Sequence, residues 1–398
     1  MFKSFFPNPK WFFLSVILWF LINIGLWYSG GKEWGTLIGF TPGYSQAEMP
    51  IGVSRFWDVQ YLWFYLWYWL SITIFALFWK IKVNHPWQAW SIWGSAFIVF
   101  NVWLGVQMSV AINAWYSPFF DLIQQMMTEG KGGEINLLYQ GTLTFLYIAM
   151  VAVTIAVLNL FFVSHYIFRW RTAMNDYYVA NWTILRQVEG ASQRVQEDTM
   201  RFAKSLEALG VSFVKAILIL IAFLPVLVQL SEHVPALPVI GEIKYSLVWA
   251  AIGWALFGTF VLMVVGIKLP GLEFNNQKVE AALRKELVYG EDHDHRAEPK
   301  KVKDLFGNVR KNYFRLYFHY AYFNVVSIWY IQLDILFGMV MLFPAIAAGL
   351  MTFGLFRQIT NVFDKVRESF QYLVSSWPSI IEMLSIYKRL KAFESILK

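Results

Sequence analysis

Eight stretches of the chain stay apolar for about as long as a helix needs to cross a bilayer: 11–28, 61–79, 90–114, 143–163, 211–230, 246–267, 317–341 and 343–363. Crossing the hydrocarbon core takes roughly 20 predominantly apolar residues, so each stretch predicts a membrane helix. The polar segments between them alternate in basic charge. Of 33 Lys and Arg, only Lys32, Arg55, Lys131 and Lys244 follow the first, third and fifth spans; Lys215 and Arg357 fall within spans, and all the others lie on the other side. Lys and Arg accumulate in cytoplasmic loops, so both termini are expected inside. The reading is an all-α, polytopic membrane protein with about eight spans.

The spacing of the spans suggests three parts. Residues 1–86 hold a pair of spans joined by an outer segment with Gly30, Gly31, Gly35, Gly39, Pro42, Gly43 and Pro50. Residues 87–375 hold six further spans, interrupted by long cytoplasmic segments at 164–210 and 268–316. Residues 376–398 form a basic helical tail. The two long segments carry apolar residues at helical spacing, and Glu197 before Arg201 and Glu280 before Arg284 are favourable i,i+4 pairs. Membrane helices are therefore expected to continue into the cytoplasm and return.

Composition agrees: 58% hydrophobic and 15% charged residues depart from the soluble balance of roughly 45–50% and 25%. Trp11, Trp27, Tyr28, Tyr61, Trp79, Trp90 and Trp115 sit at span ends, as interfacial rings do. The net charge of +7 lies beside the spans, where topology and anionic lipid account for it without nucleic acid. With no cysteine, disulfides, thiolate metal sites and cysteine nucleophiles are excluded. The first span is long, ends in Trp-Tyr-Ser-Gly-Gly and lacks a small-residue cleavage site, so it reads as a retained anchor of a prokaryotic inner-membrane protein. No G-x-x-x-x-G-K-[ST] occurs, and the Gly130-Lys131-Gly132-Gly133 run reads as an outer turn. Asp292-His293-Asp294-His295 lacks further ligands and is not read as a metal site. No cofactor and no enzymatic constellation is expected.

Carboxyls carry the candidate chemistry. On a helix through 273–291, Glu273, Glu280 and Glu291 return to one face within about 20°, provided that the helix persists through Gly290; Glu286 points elsewhere. Glu207 sits among Phe202, Leu206, Leu209 and Val211 just inside the fifth span, with Glu197 further down the same helix. A carboxyl screened from water can titrate near neutrality and so carry a proton, or these acids can simply balance the neighbouring cations. Asp334 is the acid well inside the seventh span: a proton carrier or a hydrogen-bonded tie across the bundle.

Four motifs together carry a resemblance: 113–124 (Asn-Ala-Trp-Tyr-Ser-Pro-Phe-Phe-Asp-Leu-Ile-Gln), 168–171 with 193–198, 276–282, and 387–394. Their order resembles the membrane domain of ABC half-transporters, and the absence of a Walker motif makes the chain similar to the SbmA/BacA family. That resemblance implies a homodimer that imports peptides and peptide-like antibiotics with protons. It implies proton-coupling roles for Glu207, Glu280 and Glu291, and makes Tyr116, Phe120, Arg194 and Tyr289 candidate cavity residues. Where the family has Phe-Tyr-Asp, this chain has Phe119-Phe120-Asp121 and supplies no phenol hydroxyl. Two rival readings are a membrane subunit served by a separate ATPase and a non-transporting envelope receptor or scaffold.

Overall fold

The computed structural model describes residues 1–40, 49–129, 135–188, 190–293 and 295–397. Pro42, Gly43, the 130–133 turn with Lys131, and Asp294 lie outside the described residues. The helices are α1 (Phe2–Phe5), α2 (Pro9–Leu26), α3 (Lys32–Leu37), α4 (Val59–Lys82), α5 (Ser95–Glu129), α6 (Ile135–Ala180), α7 (Trp182–Leu185), α8 (Ala191–Gln193), α9 (Thr199–Leu230), α10 (Ser246–Gly266), α11 (Leu269–Asp292), α12 (Pro299–Ala347), α13 (Phe353–Ser375) and α14 (Trp377–Glu394). The one departure from an all-helical chain among the described residues is a two-stranded antiparallel hairpin, β1 (Ala236–Leu237) with β2 (Gly241–Glu242).

Local chemistry sets the ends. Asp58 caps α4, its Oδ2 accepting the Gln60 N–H at 2.9 Å, and Lys80 and Lys82 close the last turn where the helix dipole favours cations. Pro9 and Pro299 open α2 and α12 at positions where no amide donor is needed. Gly349, at φ +67°, ends the run after α12 in a left-handed conformation open to glycine. Three π-turns, at Trp27–Gly31, Trp90–Gly94 and Arg194–Asp198, adjoin the α2–α3 junction and the starts of α5 and α9.

Seven of the eight apolar stretches lie in helices long and apolar enough to cross a membrane. The eighth, 343–363, does not coincide with one helix: α12 continues through Pro344 to Ala347, a turn follows, and α13 begins only at Phe353. A hydropathy window misreads this region because α13 is two-faced. Ile359, Val362, Phe363 and Val366 are buried, whereas Arg357, Asn361, Asp364 and Glu368 form a stripe at i, i+4, i+7 and i+11.

Two compact units divide the chain: Met1–Val226 with Met351–Lys365 and Glu382–Lys398, and Leu227–Leu350 with Val366–Ile381. In the first, the N-terminal residues plug an aromatic core. Phe5 is fully buried and stacks on Trp170 at 5.4 Å, while Phe2 meets Phe202 and Tyr387. Burying such rings contributes about 1.5–3 kcal/mol each. In the second, α10 and α11 pack on α12. Gly258 of α10 lies against Tyr330 so closely that a Cβ would overlap the ring, so that contact requires glycine.

Candidate proton and substrate sites

In the first unit, the segment that leads into α9 and the C-terminal helix α14 meet at a buried acid. Asp198, in the π-turn before α9, is almost fully buried. Its Oδ1 accepts from Arg389 Nη2 at 2.8 Å, and its Oδ2 from Arg389 Nε at 3.2 Å and Arg194 Nη1 at 2.9 Å. Nearby, Tyr178 donates to Glu394 at 2.8 Å. Arg194, a candidate cavity residue by resemblance, is thus committed to an ion pair within its own helical segment. Glu197, one residue earlier, pairs with Arg201 at 2.7 Å and accepts from Gln193 at 3.0 Å. Glu207 lies half-buried nearly three turns further on than Glu197, and Ser164 of α6 donates to its Oε1 at 3.0 Å.

At the other end of the same unit, α5 and the start of α13 are joined by a backbone approach. Gly354 is so close to Ser117 and Asp121 that a Cβ there would overlap the Ser117 carbonyl. The Gly354 N–H donates to Asp121 Oδ1 at 2.8 Å, and the Phe353 N–H to Gln124 at 2.8 Å. The Arg357 guanidinium lies 5.3 Å from the Phe120 ring and 6.0 Å from Tyr116. Phe120 therefore offers its aromatic face to this cation. Cation–π contacts of this kind are worth about 0.5–1 kcal/mol at exposed positions.

In the second unit, α11 runs unbroken to Asp292, so the condition for the acidic stripe is met: Glu273, Glu280 and Glu291 share one face. Glu273 and Glu291 are exposed and Glu280 is half-buried. Glu286 points away from that stripe, as its angle requires, into the contact with α12. It is buried, accepts from the Ala297 N–H at 3.2 Å and pairs with Lys301 at 2.9 Å. Tyr289 lies between Lys285 and Arg296, 5.5 and 5.8 Å from its ring, beside a cleft of about 500 Å³. Among the described residues no group of three or more His, Asp or Glu is placed to hold a metal.

Glu286 is thus a clasp on the α11–α12 turn. The Lys301 ammonium, helped by the Ala297 N–H, holds its carboxyl below the usual range against the opposing effect of burial. A depressed folded pKa contributes stability above the ordinary glutamate range and loses it as pH falls through the folded value. Protection of the amides at the turn, taken relative to the intrinsic exchange rate at each pH, should therefore fall on acidification in the wild type. In Glu286→Gln it should be low already and vary little with pH; unchanged protection in that variant would remove the clasp.

Asp334 lies at the centre of a polar cluster in the second unit. Trp254 Nε1 of α10 donates to its Oδ1 at 2.5 Å, and Arg367 Nη2 of α13 pairs with its Oδ2 at 2.8 Å. Tyr330 donates to the Trp254 carbonyl at 3.3 Å and accepts from Gln371, while Trp254 stacks on Tyr330 and Phe337. Asp334 and Arg367 are both buried. Arg367 was not singled out by sequence, and Asp198 and Arg389 entered only as members of the 193–198 and 387–394 motifs, without a role. For Arg367 the available signal was charge beside an otherwise apolar run.

The profile described as the SbmA/BacA-like family matches residues 84–398. An uncharacterized ABC transporter ATP-binding protein of Synechocystis sp. is 22% identical over 238 residues, 58% of this chain and 34% of that protein. Another, of Haemophilus influenzae, is 22% identical over 201 residues, 48% of this chain and 32% of its length. The chain spans about a third of the length of these curated relatives.

Proposed function

The chain belongs to the SbmA/BacA-like family and is a multi-pass membrane transporter; from that premise we propose that it imports peptides and peptide-like antibiotics, driven by protons, through a cavity enclosed by two copies. The observation that carries this reading is the two-faced character of α13. Seven apolar helices leave the residues before the first and after the last on opposite faces of a membrane. Yet Phe2 packs on Tyr387 of α14, and Asp198, at the start of α9, holds Arg389. This favours an eighth crossing, and α13 is the helix available for it.

A helix crossing the membrane with Arg357, Asn361 and Asp364 on one stripe cannot turn that stripe to lipid, because charged side chains there face a bundle interior or a water-filled cavity. An aqueous path lined by both signs of charge and by the Tyr116–Phe120 shelf suits peptides, which carry charged termini and aromatic side chains. Enclosing it takes a second copy, and isologous dimers are the commonest oligomers. The carboxyls that couple transport to protons are Glu207, Glu280 and Glu291, with Glu197 and Asp334 as further acids. Both termini lie on the cytoplasmic face of the inner membrane. The relatives named as ATP-binding proteins favour a second reading, in which a separate ATPase supplies the energy.

Reconstituted vesicles decide between the two. An inward proton gradient without ATP should drive peptide accumulation that an uncoupler abolishes; accumulation only with ATP and a partner ATPase would support the second reading instead. Topology is checked in the cysteine-free background. A cysteine placed near Gly290, at the exposed His293, should be shielded from an impermeant reagent added outside intact cells, and one placed at Val239 should be labelled. The reverse pattern would overturn the orientation.

A further inference from the structure

Asp334 carries more than a helix tie. Both carboxylate oxygens are occupied in the described arrangement, Oδ1 by the Trp254 indole and Oδ2 by the Arg367 guanidinium. The groups facing it are the Trp254 indole from α10, Tyr330 from its own helix, and Arg367 and Glu368 from α13, with Gln371 bound to Tyr330. Among the described residues, Arg367 is the cation paired with it. A proton and the guanidinium therefore compete for one oxygen. While α13 holds Arg367 in place, the site is full without a proton. When Arg367 withdraws, an anion would be left in an apolar helix pair, a cost of several kcal/mol that protonation removes.

We propose that Asp334 and Arg367 form a proton-operated latch: the pair closes α13 onto α10 and α12 when Asp334 is ionised, and protonation of Asp334 replaces Arg367 and frees α13. The balance is simple. One proton enters the carboxyl as the guanidinium leaves, and returns to water when the pair re-forms; Arg367 stays charged throughout and is hydrated once it reaches the aqueous stripe of α13. Trp254 keeps its bond to the remaining oxygen in both states, so the carboxyl stays in position. The latch deepens the proton-driven reading and rests on it only for its part in transport.

The test uses the full-length protein in vesicles. The double variant Asp334→Asn with Arg367→Gln removes both members of the pair, so neither of these two buried charges is left facing an empty partner, and it should insert and fold. Without the latch, α13 is free at every pH. Downhill exchange of labelled for unlabelled peptide should persist, and gradient-driven accumulation should fall by at least about tenfold. In the wild type, acidification should produce an infrared band of a protonated carboxyl that is missing in the double variant. Over the same pH range, the distance between spin labels at Ser327 and Ser375, measured with labelled protomers diluted into unlabelled ones, should change. Wild-type accumulation in the double variant, or no Asp334-dependent band at any pH, overturns the latch. A band and a distance change without proton-driven uptake in the wild type leave the latch standing and remove the transport reading.

Discussion

Asp198→Asn is expected to lower the unfolding free energy of the solubilised protein by about 2–3 kcal/mol. The side chain is 2% exposed and takes three charge-assisted hydrogen bonds, two of them from the forked Arg389 guanidinium. Asparagine accepts through one oxygen; placed where Oδ2 lies it keeps Arg389 Nε and Arg194 Nη1, but its NH2 then faces Arg389 Nη2, and both guanidinium charges face a neutral amide. The two arginines are about a third exposed, which lets water recover part of the loss and keeps the figure below that for a fully buried pair. The fork also ranks the partners. Arg389→Gln, which removes a bidentate contact between distant segments, should cost more than Arg194→Gln, which removes an i,i+4 contact. Thermal unfolding in detergent measures all three; an Arg194 variant less stable than the Arg389 variant would contradict the ranking.

The largest effect on activity is expected at the stripe of α11 and at Glu207. Glu207→Gln, Glu280→Gln and Glu291→Gln should each reduce uptake under an imposed proton gradient by roughly a hundredfold, with insertion and oligomeric state unchanged from the wild type. Glutamine keeps the size and much of the hydrogen bonding but cannot release a proton, so it separates titration from packing. The described contacts make the comparison specific. Ser164 donates to Glu207, so Ser164→Ala removes that bond without removing the titrating group and should leave most of the uptake. Glu286→Gln lies off the stripe and should loosen the α11–α12 turn without uncoupling transport. Wild-type uptake in all three variants would make these acids structural and leave Asp334 as the coupling site.

Seven spans were legible because each buries or exposes apolar residues all round, so averaging along the sequence loses nothing. The same averaging failed at 343–363, where it joined the end of α12 to half of a two-faced helix. The buried row Ile359, Val362, Phe363 and Val366 and the polar row beginning at Arg357 cancel in any window. The acidic stripe was legible because α11 is one unbroken helix and angles can be counted along it. Glu286 was placed at the correct angle, but its burial depends on α12 returning along that side, which spacing within α11 does not encode. Asp334 drew attention as an acid in an apolar run, whereas Arg367 and Arg389 acquire their roles from partners on other helices. Pairings of that kind leave no trace in local periodicity.

The length of α12 has a mechanical consequence. At 1.5 Å per residue its 49 residues reach about 74 Å, more than twice the roughly 30 Å of hydrocarbon, and the 299–316 portion alone extends about 27 Å. That portion is strapped to α11 at two heights, by Asn312 donating to Asn276 and the Leu272 carbonyl, and by Lys301 on Glu286. The hairpin is therefore a stiff lever with its fulcrum in the membrane. A tilt of about 10° at the bilayer carries the tip near Glu298 through about 5 Å, amplifying a rearrangement too small to see among the spans themselves. A fluorophore at the tip would read the transport cycle from outside the lipid.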